Sequence, residues 1–443
     1  MTTSSLKRRR AGKQPTSYRV VDLFAGAGGL SEGFRQAGCG VVAGNDNDPD
    51  AAATYALNFP EATTVVGDLR RSSVREQVLA AARGVDIIVG GPPCQAFSQV
   101  RNHTRLIDDP RNSLYREFVQ VVREVLPAAF LMENVPGMAQ MGIKEQVTED
   151  LSLDGEYLVT PQLVDAADFG VPQTRKRLLF IGIRSAMRAS PHQLTGSGIT
   201  AHVQLARVVN DTTEYHLAAR PSDDAAMLRR LDDPYDLTAV TALQAIGDLE
   251  GLVLGRRADT LADGLPPASS AYQKLMRSNG SANTLENVSV PRANADTILR
   301  LRSIPPGGNH RDLPDELLDR YLTGAKWGPH NGTGTLSRRH YYAYRRLHPA
   351  IWAWTLNTKA DSVYHYRDVR CLSVREFARL QSFPDRFVFT TDPRRGPLSG
   401  RIDGGSAHSR YRQAGNAVPP LLAAAAAREI VSLLQAWSQA QTA

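Results

Sequence analysis

The segment VDIIVGGPPCQAFS sets a thiol, Cys94, directly after two prolines at the end of an apolar run. Pro92 and Pro93 fix φ and have no N–H, so the backbone there is stiff and aims whatever follows it. A buried structural cysteine needs no such setting, whereas a nucleophile does. The segment AAFLMEN ends in Glu133, a carboxyl at a second strand end. A thiol and a carboxyl at neighbouring strand ends suit nucleophilic addition assisted by an acid. In QTRKR, Gln173, Arg175 and Arg177 alternate as on one face of a strand and lead into LLFIGI. A free thiol is only a few per cent thiolate at neutral pH, and nearby cations raise that fraction.

A ligand site is written upstream. DLFAGAGGL carries Phe24, Ala25, Gly26, Gly28, Gly29 and Leu30 between a strand pattern and a helix pattern. Backbone N–H groups at such a turn hold nucleotide-like ligands. Asp46 closes the second strand, about 20 residues on, where ribose-binding acids stand. Asp68, followed by Leu69, closes the third, where a carboxylate can accept from an adenine amino group. The G-x-G-G spacing departs from the dinucleotide fingerprint, and no GK[ST] follows, which rules out a P-loop. With Phe24 just before it, the turn favours an adenosyl ligand without a pyrophosphate over a nicotinamide cofactor.

The elements that must position these groups alternate. YRVVDLF, GVVAGND, TTVVGDL, VDIIVGG, AAFLMEN and RLLFIGIR read as strands. Helical spacing joins Leu30, Phe34 and Ala37 with a stop at Gly38, spans 72–83, and recurs at Leu114, Phe118, Val121 and Val125. This predicts an α/β fold, a mostly parallel sheet covered on both faces, with the site on its carboxyl edge. Beyond Arg184 the periodicity weakens, and turn-rich, basic, aromatic segments such as SIPPGGNH and SRRHYYAYRR indicate a smaller irregular domain. TDPRRGPLSGRIDGGSAHSR reads as a loop leaving that domain, and the end of the chain is a helix with a proline start. RCLSVREFARLQSFP predicts a helix from Val374 to Ser382 with Ser373 and Glu376 as a capping box.

Composition sets the outer bounds. The 443 residues carry a net charge of +7, with 42% hydrophobic residues, enough for a large core and suited to a polyanionic partner. Only Cys39, Cys94 and Cys371 occur, which gives neither a disulfide framework nor a metal pattern and points to a reduced, cytoplasmic setting. Cys39 and Cys371 are expected to fill core space. No apolar run of membrane-spanning length stands out, and the basic start MTTSSLKRRR lacks the apolar stretch of a secretory signal. The expected division is a basic disordered tail over 1–16, a catalytic domain over 17–187, a second domain over 188–407 that includes the helix near 373–384, and a segment over 408–443 returning to the first.

Taken together, the chain resembles the cytosine-C5 DNA methyltransferase family. DLFAGAGGL, GPPCQAFS, ENV, QTRKR, RCLSVREFARLQSFP and GNAVPP stand in that family's order and cover nearly all of the catalytic half and the C-terminal end. The resemblance implies a Rossmann-like S-adenosylmethionine-dependent domain and a target-recognition domain, here roughly 188–345, where the match is least. It implies that Cys94 adds to carbon 6 of cytosine, making carbon 5 nucleophilic enough to take a methyl group, while Glu133 serves ring nitrogen 3. By the same resemblance Arg175 and Arg177 hold the target cytosine and its phosphate, with Arg177 nearer the base carbonyl. Phe24 lies against the adenine, Asp46 takes the ribose, Asp68 the adenine amino group, Pro92 lines the methyl-donor pocket, and Asn416 and Ala417 close it. Two departures stand out: Asp46 where Glu is usual, and Asn47 where a large apolar residue is common. The shorter acid predicts weaker cofactor binding. The base that removes the carbon 5 proton is unassigned, water included.

The target carbon is stacked inside a duplex, so the base must be flipped out. The loop QAFSQVRNHTRLIDDPRNS is expected to close over it, with Gln95, Ser98, Arg101, Arg105 and Gln173 facing DNA. The expected partners are double-stranded DNA and companion restriction or defence proteins. The expected state is a monomer, with S-adenosylmethionine as cofactor and no metal. Two alternatives remain. A tRNA enzyme on this scaffold is disfavoured because no Cys-Phe-Thr tripeptide occurs. An inert DNA-binding regulator is disfavoured because Cys94, Glu133 and the glycine turn are intact.

Overall fold

The computed structural model describes residues 17–93, 113–139, 143–198, 200, 240–251, 259–262, 265–278, 284–322, 344–392 and 406–442. Cys94, Gln95, Ser98, Arg101 and Arg105, the basic tail, and most of SRRHYYAYRR lie outside the described residues.

Seven strands form the central sheet: β1 (Arg19–Leu23), β2 (Gly40–Asp46), β3 (Thr63–Val66), β4 (Ile87–Gly90), β5 (Ala129–Asn134), β6 (Tyr157–Asp165) and β7 (Lys176–Arg184). Their order is β3-β2-β1-β4-β5-β7-β6. The first five are parallel, and β7 runs antiparallel to both β5 and β6. All six anticipated strands are present. β6 is additional: Pro161 interrupts its pattern, and an edge strand tolerates a residue that cannot donate to a ladder.

Alternate residues explain why the sheet is buried on both faces. Val20, Ile87, Val89, Leu131, Leu179 and Ile181 face one hydrophobic cluster; Val21, Ile88, Phe130, Met132, Leu178 and Phe180 face the other. The period of two is that of a pleated strand. Helices α1 (Gly29–Gln36), α2 (Pro49–Asn58), α3 (Ser72–Ala81), α4 (Ser113–Val125) and α5 (Ile143–Ser152) connect the strands. Since β1 lies between β2 and β4, the strand order reverses there, and the crevice beyond the carboxyl ends of β1 and β4 is the binding position of open α/β sheets.

The second region contributes α6 (Ala242–Ile246), α7 (Ala271–Arg277), a short hairpin of β8 (Thr260–Ala262) and β9 (Thr284–Glu286), α8 (Ala295–Ser303), α9 (Asp315–Leu322) and α10 (Val374–Leu380). Helix α10 starts as the sequence predicts, with both halves of the Ser373–Glu376 capping box formed, and ends two residues early. Its arginines point inward. Arg379 binds Asp385 bidentately at 2.8 and 2.7 Å, and Arg375 donates to the carbonyls of Glu286, Pro384 and Phe387. Fully buried guanidinium groups need this degree of pairing. Cys39 and Cys371 are buried, and burial pushes both thiols up to about 12, the setting of packing side chains.

The final helices, α11 (Ser406–Asn416) and α12 (Pro420–Thr442), return to the sheet. Residues 406–410 are therefore helical rather than loop. The run His408–Gln441 is long and apolar enough to cross a membrane by composition, yet 72% of its apolar window is buried inside the protein. It is a core helix: a Cβ at Gly33 of α1 would stand 2.4 Å from the Cβ of Ala423, so only glycine permits this approach.

Candidate active site

The carboxyl ends of β1 to β5 and the start of β7 border one cavity of about 790 Å³. Its floor is the glycine turn. Phe24 holds φ +55°, left-handed and strained for an aromatic residue, the kind of strain that gathers at ligand sites. A Cβ on Gly26 would meet nothing within 4 Å, so its backbone lies open to the cavity. Ala25, Gly29 and Leu30 line the same wall. Gly28 does not line it. Gly28 has φ +101°, and its missing side chain leaves room for Phe59, whose ring would be 2.5 Å from a Cβ.

Carboxylates rim this floor. Asp46 accepts from Gly26 N–H at 2.7 Å and from Asp48 N–H at 2.8 Å. Burial pushes its carboxyl pKa up, and those donors pull against the rise. The acid thus braces the glycine turn while lining the cavity beside Asn47. Asp68 is bound by the Arg70 guanidinium, with Nη2 to Oδ2 at 2.6 Å, which holds its carboxyl below the usual range. Leu69 is buried beside it. Arg412 of α11 reaches across to Asp48 at 2.6 Å, and both border the cavity. Asp48, Arg70 and Arg412 are site residues that sequence reasoning missed. Their nearness to Asp46, Asp68 and Asn416 in the chain was the available signal.

The far wall comes from the other end of the molecule. Asn416 and Ala417 line the cavity. Val418 O would stand 2.1 Å from a Cβ on Gly29, so the last segment lies directly on the glycine turn. Open backbone at Gly26, an acid at Asp46, the Phe24 ring and the Asn416 wall fit an adenosyl ligand.

Beside this floor stand the reactive groups. Pro92 and Pro93 line the cavity, as do Glu133, Arg175 and Arg177. Arg177 Nε lies 2.5 Å from Glu133 Oε1, an ion pair with both side chains 12% exposed. Two residues that were expected to touch DNA do something else. Gln173 is fully buried; its amide donates to Leu380 O and Gln381 Oε1 and accepts from Leu356 N–H. Both of its donors and one acceptor position are taken by protein, and the side chain offers no exposed surface to DNA in this structure. Arg175 lines the cavity too, and its guanidinium donates to Leu356 O, to Gly415 O at 2.8 Å and to Asn416 O, so in this structure it braces the wall formed by the C-terminal segment. Burial, reinforced by the Arg177 charge, pulls its pKa well down. Gln173 and Arg175 precede the strand, which starts at Lys176, and spacing alone cannot say which neighbours meet the interior.

Comparisons with known proteins agree with this geometry. The chain is 33% identical to the Type II methyltransferase M.AgeI of Thalassovita gelatinovora, over 93% of this chain and 99% of that protein. It is 31% identical to M1.HphI of Haemophilus parahaemolyticus, over 94% and 87% respectively. Its fold resembles that of a putative DNA modification methyltransferase encoded within an E. coli prophage, with a TM-score of 0.63 at 24% identity, covering 95% of this chain and all of that one. Residues 18–432 match the family described as C-5 cytosine-specific DNA methylase, and the chain, an S-adenosylmethionine-dependent DNA (cytosine-5-)-methyltransferase by that match, belongs to this family.

Proposed function

We propose that the chain methylates carbon 5 of a flipped-out cytosine in duplex DNA, using Cys94 as nucleophile, and that it is the modification partner of a restriction system, a reading supported by its likeness to proteins named Type II methyltransferases. The observation that supports this most is the Glu133–Arg177 pair at 2.5 Å in the cavity that also holds the glycine turn. S-adenosylmethionine, when bound, supplies an electrophilic methyl group. The chain's residues do the rest. Cys94 thiolate adds to carbon 6 while Glu133, in its protonated form, donates to ring nitrogen 3 as charge builds there and takes that proton back when the thiolate leaves. Arg177, held by Glu133, turns a fixed cation toward the base carbonyl. After transfer a base removes the carbon 5 proton and the thiolate leaves. The pair also keeps the acid oriented before DNA arrives, the preorganisation that makes electrostatic catalysis effective.

By this proposal residues 188–407 read the DNA sequence, companion nuclease or defence proteins act with the enzyme, and the enzyme works as a monomer without a metal. The test uses duplex DNA copied from a long mixed-sequence template with 5-fluoro-dCTP in place of dCTP, so that short recognition sequences occur and every cytosine in them is fluorinated. With methyl donor present, a covalent protein–DNA adduct is expected at Cys94. No adduct, or label transferred from the methyl donor into tRNA only, defeats the proposal.

A further inference from the structure

The ladder between β4 and β5 ends at the Gly90–Met132 register. It cannot continue through Pro92 or Pro93, because neither carries an N–H. The segment leading into Cys94 therefore needs another anchor, and its only handle for a donor is a carbonyl. Asn134 supplies one. Its Nδ2 donates to Pro92 O at 3.2 Å, and its Oδ1 accepts from Val135 N–H at 2.8 Å. That second bond fixes the orientation of the amide: Val135 N–H can only donate and Pro92 O can only accept, so the two ends of the amide cannot be exchanged. The side chain is 3% exposed. Its neighbour in sequence is Glu133, and a Cβ at Gly91 would stand 3.0 Å from Glu133 Oε2. The loop and the acid thus pass at near contact, with one side-chain amide holding them in register.

We propose that Asn134 is a positioning residue: it fixes the Pro92 carbonyl, and so the backbone entering Cys94, against Glu133. This rests on the proposed function of Cys94 and Glu133. Asn134 borders the cavity, but in this role it acts through the Pro92 carbonyl rather than through methyl donor or base. It sets the distance between two groups that must act on opposite edges of one ring, and misplacement of about 1 Å in such an arrangement costs on the order of 100-fold in rate.

Asn134→Asp tests it. At pH 8 the new carboxylate faces the Pro92 carbonyl as acceptor against acceptor, and single-turnover methyl transfer should fall on the order of 100-fold. At lower pH the protonated acid can donate to Pro92 O again, so the ratio of variant to wild-type rate should climb as pH falls toward 6. KM for S-adenosylmethionine should stay within about twofold, since mutations that touch only the transition-state geometry spare ground-state binding. Asn134→Ser, too short to reach Pro92, should lose rate without any recovery at low pH, and it serves if the Asp variant does not fold. Wild-type rates in both variants at every pH overturn the inference, as does a rate loss matched by an equal loss of cofactor affinity and melting temperature. If wild-type protein forms no adduct with the fluorinated duplex, the proposed function fails first and this inference with it. If wild type forms the adduct and the variants form it equally fast, only this inference fails.

Discussion

At the level of single residues, two carboxyls near the glycine turn and the loop after β4 have different surroundings. Glu133 is held by Arg177, whereas Asp22 lies fully buried beneath the glycine turn. Asp22 Oδ2 accepts from Ser31 N–H and Oγ–H, while Oδ1 has no partner among the described residues. Burial pushes its carboxyl up to about 7, Ser31's donated bonds oppose the rise, and the Asp46 charge adds to it. In the unfolded chain the same carboxyl titrates near 4. The folded protein therefore holds a proton that the unfolded chain has released between those values. Asp22's contribution to stability is full below about pH 4 and is lost as pH rises through about 7. Between pH 5.5 and 8 the loss is about 2 kcal/mol. Asp22→Asn cannot titrate, so its stability relative to wild type should improve by about that amount over the same range, whatever the substitution costs at pH 5.5. Urea unfolding of both proteins at the two pH values checks this, and an unchanged difference refutes it. For the acid, Glu133→Gln keeps the shape but cannot donate as a carboxyl does. Single-turnover methyl transfer should fall by about 10²- to 10⁴-fold with cofactor binding retained, measured by rapid quench and by equilibrium titration of S-adenosylhomocysteine.

At the level of elements, the close approach of the C-terminal segment to α1 makes a sharp prediction. Gly29→Ala places a Cβ 2.1 Å from Val418 O, a backbone atom that cannot rotate away. The segment must lift off the glycine turn, taking Asn416 and Ala417 with it. Cofactor affinity should drop at least tenfold, about 1.4 kcal/mol, while Gly38→Ala, one residue past the Ala37 cap of α1, where a Cβ would meet nothing within 4 Å, should cost backbone strain only. Calorimetric titration separates the two. Elements are also where the sequence was most legible. Strands β1 to β5 and β7 carry runs of Val, Ile, Leu and Phe bounded by glycine, acid or, in β7, basic residues, and all but the edge strand β3 are largely covered on both faces, so their signal is strong. β6 escaped notice because Pro161 and half-buried positions blur its alternation. Helix α10 was readable because its cap is local, two side chains three residues apart. The partners of its arginines, from Asp385 to the carbonyl of Glu286, are distant or irregular and leave no periodic trace. Within the site, the turn, Asp46, Pro92 and Glu133 follow from strand ends. The inward turn of Gln173 and Arg175 depends on packing against 356–416, which no local pattern encodes.

At the level of the whole molecule, the cofactor cavity is assembled from both ends of the chain, and Gln173 is the joint. Its amide ties the entry to β7 to Leu356 and to Gln381, and Gln381 in turn donates to Ala414 O at 2.7 Å, two residues before Asn416. Arg175 grips the same stretch. If this network is structural, Gln173→Ala strands Gln381 Oε1, Leu380 O and Leu356 N–H inside the protein, at about 1–3 kcal/mol for each group left unmade. Melting temperature should fall, and the further rise on saturating with S-adenosylhomocysteine should shrink, because ligand stabilisation follows the ratio of concentration to Kd and the loosened wall raises Kd. A side chain that met phosphate or base would behave differently: its loss would weaken DNA binding while leaving the free protein's stability alone. The slope of log K for DNA against log salt separates these cases, since it reports contacts to phosphate. The slope in Gln173→Ala should equal that of wild type even as cofactor affinity declines. A changed slope with an unchanged melting temperature would return Gln173 to the DNA interface and remove the joint between the two ends of the chain.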